Sequence, residues 1–550
     1  MAKPYEISAL DVIGPNMIGP SSSHTAGALR ISLLAAQMLS GAVTSVKFLL
    51  YGSFARTYQG HGTDRALVGG ILGFKPDDPR IRESFEIAQE RGIAYSFDFD
   101  YDDDTVHPNT VDITIRSEES FVTVRGESVG GGRAVIRRIN GVEIEFTGLY
   151  NTLMIYHIDR PGVVARLTNV LADNQINIAF MRLYREQKGK RAYMILETDE
   201  EIPAHVSEQL NQLESVDRAL IIPTIDSASK LQSTAGSDRT AELAEREADL
   251  AGINPDLLDF QSAKALVESC RELKLPISEI MIRREELLFN RTRKESLDLM
   301  ARAWSIMKQA VYDSIHNPRR SIGGLIGGES GVLHKRRAEA EAAGQEALSG
   351  SLISRASSYA MGVLEVNASM GLIVAAPTAG AAGIVPGALI AFAEQRKLND
   401  DQMIHALYTC AAIGMLIMAH GSVSGAEGGC QAETGSASAM ASAALTELLG
   451  GSPQDSLGAA STCLQNVLGL VCDPIGGLVE APCQRRNALG TANAILAAEM
   501  SLAGLDNLVP LDEMILVVRD VGSNLPASLR ETGLGGTAQA PSACAACGLC

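Results

Sequence analysis

Residues 159–178 read DRPGVVARLTNVLADNQINI, and this stretch decides the fold of the middle of the chain. Asp-Arg-Pro-Gly is turn chemistry, because proline presets φ and glycine accepts the conformation that follows. Pro161 and Gly162 then open a helix in which Val163, Val164, Leu167, Val170 and Leu171 share one face. An apolar run over 152–158 precedes the turn as a strand. After the helix come strands over 176–184 and 192–198, a helix over 204–213 and a last strand over 216–223. The order βαββαβ is the ferredoxin-like arrangement, and it makes residues 149–225 a self-contained unit.

Outward from this unit the pattern changes on both sides. Residues 1–148 mix strand-type runs at 45–51, 110–116 and 134–138 with a helical stretch at 26–39, an α/β pattern. Residues 226–251 are rich in Ser, Thr, Ala, Asp and Glu without sustained apolar periodicity, and read as a linker ending in an exposed helix. Residues 252–550 are helical in pattern and dense in Ala, Gly and Ser, which let helices approach closely. A compact, mostly all-α domain is expected there, with strand character left open at 514–519. No internal repeat is visible. About three domains agree with a length of 550 residues.

Composition narrows the class of protein. With 46% hydrophobic and 20% charged residues the chain is globular. A net charge of −18 argues against nucleic acid and anionic membrane as partners, since both need basic surfaces, and leaves small substrates open. The alanine-rich stretch 371–393 carries Pro377, Pro386 and several glycines, and reads as buried helices and turns rather than a membrane span. Residues 1–14 lack a basic segment followed by an apolar one, so no secretory signal is expected. Nine cysteines in such a chain suit a reducing cytoplasm, where thiols serve metals or catalysis.

Cys430, Cys472 and Cys483 stand in SGAEGGCQAETG, GLVCDPIGG and VEAPCQRRN. None of the three pairs has the interval of a zinc knuckle, so they form no local metal loop. Carried on separate tight turns, three thiolates suit an iron–sulfur cube that leaves one iron open, and an open iron is a Lewis acid. The competing reading is three buried structural cysteines. The tail, PSACAACGLC, spaces Cys544, Cys547 and Cys550 as C-x-x-C-x-x-C. It reads either as a ferredoxin-type run or as a terminus that threads into a site, where a terminal cysteine with its own α-carboxylate mimics a small amino acid.

Near the start, GPSSSHTAG (19–27) runs straight into a helical stretch. Ser21, Ser22, Ser23 and Thr25 offer hydroxyls and free backbone N–H groups together, an anion site beyond the needs of capping, and His24 is surplus to it. In GSFARTYQGHGTDRAL (52–67), His61 lies between glycines that let a substrate come close, and a histidine titrates near neutrality. His107 precedes Pro108 on an extended approach to a strand, and Asn109 can hydrogen-bond a substrate from the same turn. APTAGAAGIVPG (376–387) is either a close-packed turn or a substrate-holding loop, with Thr378 its only side-chain donor.

Two resemblances follow from these residues. The 149–225 unit, with its D-R-P-G turn, resembles an ACT domain, a regulatory module that usually binds an amino acid; the alternative is a unit serving dimerisation alone. GPSSSHTAG, GSFARTYQGHGTD, HPNT, APTAGAAG and the three cysteine contexts together resemble bacterial iron–sulfur L-serine dehydratase (L-serine ammonia-lyase) over nearly the whole chain. The resemblance implies a β domain at 1–148, an ACT-like domain at 149–225, a linker at 226–251 and a catalytic α domain at 252–550. It implies a [4Fe–4S] cluster on Cys430, Cys472 and Cys483, with Cys550 on the fourth iron when substrate is absent. His61 is then the candidate base and His24 a second catalytic candidate, with Ser21, Ser22, Ser23, Thr25, His107, Asn109 and Thr378 near the substrate. L-serine is the expected substrate, pyruvate and ammonia the products, and an amino acid the expected ACT effector. No lysine stands in an obvious setting for pyridoxal phosphate, and none of that cofactor is expected. A cytoplasmic homo-oligomer, dimer or tetramer, is expected because ACT domains usually pair. The alternatives left open are a cluster lyase for another small hydroxy- or amino acid and a redox or sensor protein with four permanent cysteine ligands. The resemblance implies no role for Cys544 and Cys547, and the segment SIGGLIGGESGVLHKR (321–336) matches it poorly.

Overall fold

A computed structural model describes residues 7–103, 105–198, 201–224, 238–289 and 291–547. They form two compact units. One draws on Ala26–Arg56 and Thr63–Lys230, the other on Met1–Thr25, Thr57–Gly62 and Leu231–Cys550.

The first unit contains two sheets. A six-stranded sheet has the spatial order Ala94–Asp100, Ser45–Tyr51, Thr110–Arg116, Phe121–Ser128, Ala134–Ile139, Val142–Phe146; its first pair is parallel and the rest antiparallel. Phe121–Ser128 alternates buried and open positions, as a sheet with one covered face must. The helix Ala28–Gln37 lies against that strand, and the helix Thr63–Ile71 packs on the same helix. The 26–39 stretch read as one helix is in fact a π-turn, Ser22–Gly27, followed by the α-helix. The second sheet is four-stranded and antiparallel, ordered Val216–Ile222, Asn151–Ile158, Arg191–Thr198, Phe180–Arg185. Val163, Leu167, Leu171, Val206 and Leu210 of its two helices close a core with Leu153, Ile155, Met194 and Leu196. This is the βαββαβ order. Its third element begins at Phe180 rather than 176, because the Ile176 N–H bonds back to Leu171 O and Gln175 takes φ 57° to end the helix.

The second unit is helical. Cys430–Leu448 runs through its middle, flanked by Asp400–His420, Pro453–Asn466 and Ala481–Leu502. Alanines, serines and glycines let these helices approach, and the buried hydroxyls satisfy themselves on the preceding turn: Ser436 to Ala432 O, Ser438 to Thr434 O, Thr446 to Ser442 O. Residues 514–519 lie inside the helix Leu511–Asn524, so the strand reading there does not hold; the apolar run follows the helical period. The stretch 371–393 contains a short strand, Leu372–Val374, as well as the expected turn and helix Ile384–Arg396. Among the described residues, the one helix long and apolar enough to cross a membrane is Asp400–His420, and 89% of its apolar window is buried.

An N-terminal arm is built into this helical unit. Ser8 caps the helix Ala9–Val12, and the buried carboxylate of Glu285 accepts from Ser8 Oγ (2.7 Å), Ala9 N–H (2.8 Å) and Arg291 Nη1 (2.5 Å). Strand Asn16–Ile18 then pairs antiparallel with Leu372–Val374. That pairing delivers Ser21–Thr25 to the helical unit, although sequence alone had grouped them with the α/β region.

Candidate active site

The serine–histidine turn begins at Gly19, whose φ of 105° suits glycine; a Cβ there would lie 2.5 Å from Thr25 Cγ2. Asn367 Nδ2 donates to Pro20 O at 3.3 Å. Ser21 Oγ accepts the His24 backbone N–H at 3.1 Å and lies 3.3 Å from His24 Nδ1. Thr25 Oγ1 donates to His61 O at 2.7 Å, tying this turn to residues 57–62. Ser21, Ser22, Ser23, His24 and Thr25 are all buried.

His61 is 0% exposed. Its Nδ1 lies 3.2 Å from Thr57 Oγ1, while Nε2 has no hydrogen-bond partner. Burial lowers its pKa to about 3, so the ring is neutral at physiological pH. The His24 and His61 rings meet edge-on with centroids 4.3 Å apart. Gly60 is required beside them, because a Cβ would lie 2.8 Å from Gly477 O. The His61 loop therefore rests directly on the turn between Cys472 and Cys483.

The three sequence-singled cysteines are buried free thiols. Cys430 opens the helix Cys430–Leu448, Cys483 lies in the first turn of Ala481–Leu502, and Cys472 sits on the connection between Pro453–Asn466 and Ala481–Leu502. The Cys430 and Cys472 sulfurs and a Glu433 oxygen lie within 4.8 Å of one another. Contact with Cys430, then burial, raises the Cys472 thiol; burial, then the Cys430 charge, raises that of Cys483. Arg486 supplies the positive charge, with Nη1 3.3 Å from Cys430 Sγ and Nη2 2.7 Å from Asp473 Oδ1. By contrast Cys270 and Cys463, pushed up to about 12 chiefly by burial, are isolated core thiols.

Two carboxyl groups complete the arrangement, and sequence reading singled out neither. Glu433 lies beside the Thr378 side chain, and burial raises it to about 7. Glu531 comes from the C-terminal segment, which runs parallel to the cysteine turn: Cys472 N–H donates to Leu529 O (2.9 Å) and Glu531 N–H to Cys472 O (2.8 Å). The Glu531 carboxyl is within 4.8 Å of a ring nitrogen of both His24 and His61, so it joins the histidines to the cysteines. Burial, then the charges of Glu433 and Cys430, holds its pKa well up. No local motif marks Glu531; the only sequence signal is the position of its segment after the cysteine turns.

His107 and Asn109 belong to the other compact unit. Asn109 N–H donates to His107 Nδ1 at 3.1 Å, its Nδ2 reaches Ser128 O at 3.5 Å, and its buried Oδ1 has no partner. Cys544 is half-buried, with Sγ 3.6 Å from Ala538 O. Cys550 lies outside the described residues, as does the side chain of Cys547.

Comparison with known proteins accords with this geometry. The family model described as serine dehydratase beta chain matches residues 10–138, the ACT domain model residues 151–215, and the serine dehydratase alpha chain model residues 272–538. The probable L-serine dehydratase alpha chain of Bacillus subtilis is 44% identical over 282 residues, 51% of this chain and 92% of that relative. The probable beta chain of the same organism is 41% identical over 209 residues, 38% of this chain and 94% of that relative. L-serine dehydratase TdcG of Escherichia coli is 29% identical over 554 residues, 97% of this chain and 98% of that relative. With beta, ACT and alpha portions joined in one polypeptide, the chain belongs to the serine dehydratase family, a family of lyases.

Proposed function

We propose that this chain is an L-serine ammonia-lyase that converts L-serine to pyruvate and ammonia, its four parts divided at residues 148, 225 and 251. The observation that carries the reading is the meeting, within one compact unit, of buried thiols and two histidines, with Glu531 between them.

Cys430, Cys472 and Cys483 fit a [4Fe–4S] cluster on the chemistry of the donor set. They are soft, buried and unpaired in disulfides; Cys430 and Cys472 lie close together, Cys483 feels the charge of Cys430, and Arg486 balances them. The raised thiol pKa values of Cys472 and Cys483 reflect the cost of burying them without metal, and coordination reverses it. A bound cluster would supply a Lewis-acidic iron that draws charge from the serine C–O bond.

The protein groups do the rest. The Ser21–Thr25 segment, which enters the π-turn Ser22–Gly27, and Thr378 receive the substrate carboxylate through hydroxyl and backbone N–H donors. His61 takes the Cα proton at Nε2, the nitrogen left without a partner, while Thr57 fixes the ring through Nδ1. Its low pKa keeps the ring in the acceptor form, and the charge of a bound carboxylate restores basicity by stabilising the imidazolium. The Cα–H electrons form the Cα–Cβ double bond as the Cβ–O bond breaks. The oxygen leaves with its electron pair as hydroxide, which with the proton taken by His61 makes up the water eliminated. The aminoacrylate released tautomerises to an imine, and water hydrolyses it to pyruvate and ammonia. Burial of both histidines excludes water from the proton transfer. The ACT portion is proposed to bind an amino-acid effector, and the assembly to be a cytoplasmic homo-oligomer.

An anaerobic assay of reconstituted protein tests the reading, with pyruvate release from L-serine followed beside cluster absorbance. Pyruvate is expected only with cluster present. A full cluster without pyruvate refutes the serine assignment.

A further inference from the structure

We propose that Glu531 receives the ammonium group of the substrate and thereby selects amino acids over the corresponding hydroxy acids. The inference rests on the L-serine reading and adds to it a recognition residue for the third functional group of that substrate.

Serine enters as a zwitterion. The groups already described account for its carboxylate, its hydroxyl and its Cα proton, and the ammonium requires an anion. Arg486 is engaged by Asp473 and the Cys430 sulfur, and the charges acting on Glu531 are those of Glu433 and Cys430, with no cation among them. Glu531 is 7% exposed and makes none of the ion pairs found among the described residues. The Ala426 backbone N–H donates to its carboxyl group. A carboxylate removed from water without a cation is costly, and a ligand that brings the cation recovers that cost.

Position separates Glu531 from Glu433. Glu433 stands with the Cys430 and Cys472 sulfurs, the side on which the hydroxyl is drawn away. Glu531 stands with His24 and His61, its oxygen within 4.8 Å of a ring nitrogen of each. The ammonium nitrogen and the departing proton sit on the same Cα, and a base works at roughly 3–3.5 Å from the atom it attacks. The anion for the ammonium must therefore lie within a few ångströms of the base.

The backbone also marks this residue. Glu531 holds φ at 60°, a left-handed conformation that a glutamate adopts only under constraint. The constraint is visible: its N–H is bonded to Cys472 O, and Cys472 N–H to Leu529 O. The side chain is thereby indexed to the cysteine turn.

The test compares reconstituted wild type, Glu531→Gln and Glu531→Asp. Cluster absorbance and melting temperature report folding. KM for L-serine, affinity for L-alanine by calorimetry, and inhibition by 3-hydroxypropionate, which lacks the amine, report recognition. Loss of a charge-assisted contact predicts that Glu531→Gln raises KM and weakens L-alanine about 10- to 100-fold, with inhibition by 3-hydroxypropionate held within about threefold. Glu531→Asp is expected to fall between the two. Equal weakening of both ligand classes, or an unchanged KM with the cluster intact, overturns the proposal. Stoichiometric zinc or iron beyond the cluster, lost in Glu531→Gln, also overturns it by assigning the His24–His61–Glu531 group to a metal. If wild type itself carries a full cluster and releases no pyruvate, the serine reading has failed rather than the role of Glu531.

Discussion

Glu480 offers a sharp test of how the cysteine turn is held. It lies between Cys472 and Cys483, is 1% exposed, and accepts from Ser321 Oγ (2.6 Å), Gly323 N–H (2.7 Å) and Leu325 N–H (2.9 Å). The glycine-rich segment 321–328 is thus hung on one carboxylate, and so is the turn on which Gly60 and the His61 loop rest. In Glu480→Gln one oxygen becomes an NH2 group that faces a donor, so at least one buried N–H or O–H loses its acceptor. An orphaned buried donor costs about 1–3 kcal/mol, which puts the local penalty near 2 kcal/mol. Arg319 and Arg320, exposed at the edge of this segment, make the opening measurable by trypsin. When opening is fast relative to cleavage, the rate follows the open population, and about 2 kcal/mol is roughly a 30-fold faster cut. Ser321→Ala should weaken the same hook, and the double variant should show about 1 kcal/mol of coupling. Cleavage within twofold of wild type in Glu480→Gln, in protein with an unchanged melting temperature, would refute the claim that this carboxylate holds the loop.

Two further outcomes follow from buried carboxylates. Removing Glu285 by Glu285→Ala leaves Arg291 without its buried partner, a loss of about 3–5 kcal/mol, and frees the arm that leads to Ser21–Thr25. Hydrogen exchange should rise across residues 9–18 with little change in the helix Cys430–Leu448, and uniform exchange would contradict the anchoring role. Glu286 is buried with neither oxygen hydrogen-bonded, and burial raises its pKa from 4.5 to about 7. The folded chain keeps this proton to about pH 7 while the unfolded chain releases it near 4.5, so stability falls as pH rises through that window. Glu286→Gln should melt like wild type near pH 4.5 and above it at pH 8; a difference independent of pH would contradict the assignment.

Much of the architecture was legible because periodicity reports local burial. Ser45–Tyr51 and Thr110–Arg116 are strands as read, and the Asp159–Ile178 stretch opens the middle unit as its turn chemistry requires. The misreadings are local. The strand expected from 176 starts at Phe180 because helix closure consumed the residues before it, and 514–519 joined a helix that its neighbours continue. The pairing of Asn16–Ile18 with Leu372–Val374 had no signal, since three residues carry no period and their partner is more than 350 residues away.

By itself the sequence marked the chemistry the chain can carry: thiols near glycines and prolines, hydroxyls and a histidine crowded at a helix start, and a second histidine between glycines. Residue types and backbone permissiveness are local properties, so they are written locally. The tertiary structure alone decided which of these groups meet. It placed His24 against His61, set both beside the cysteine turns within one compact unit, and introduced Glu531 through a parallel contact with Cys472. Convergence over hundreds of residues is fixed by the packing of whole helices and by buried carboxylates such as Glu285 and Glu480, and no short stretch of sequence encodes it.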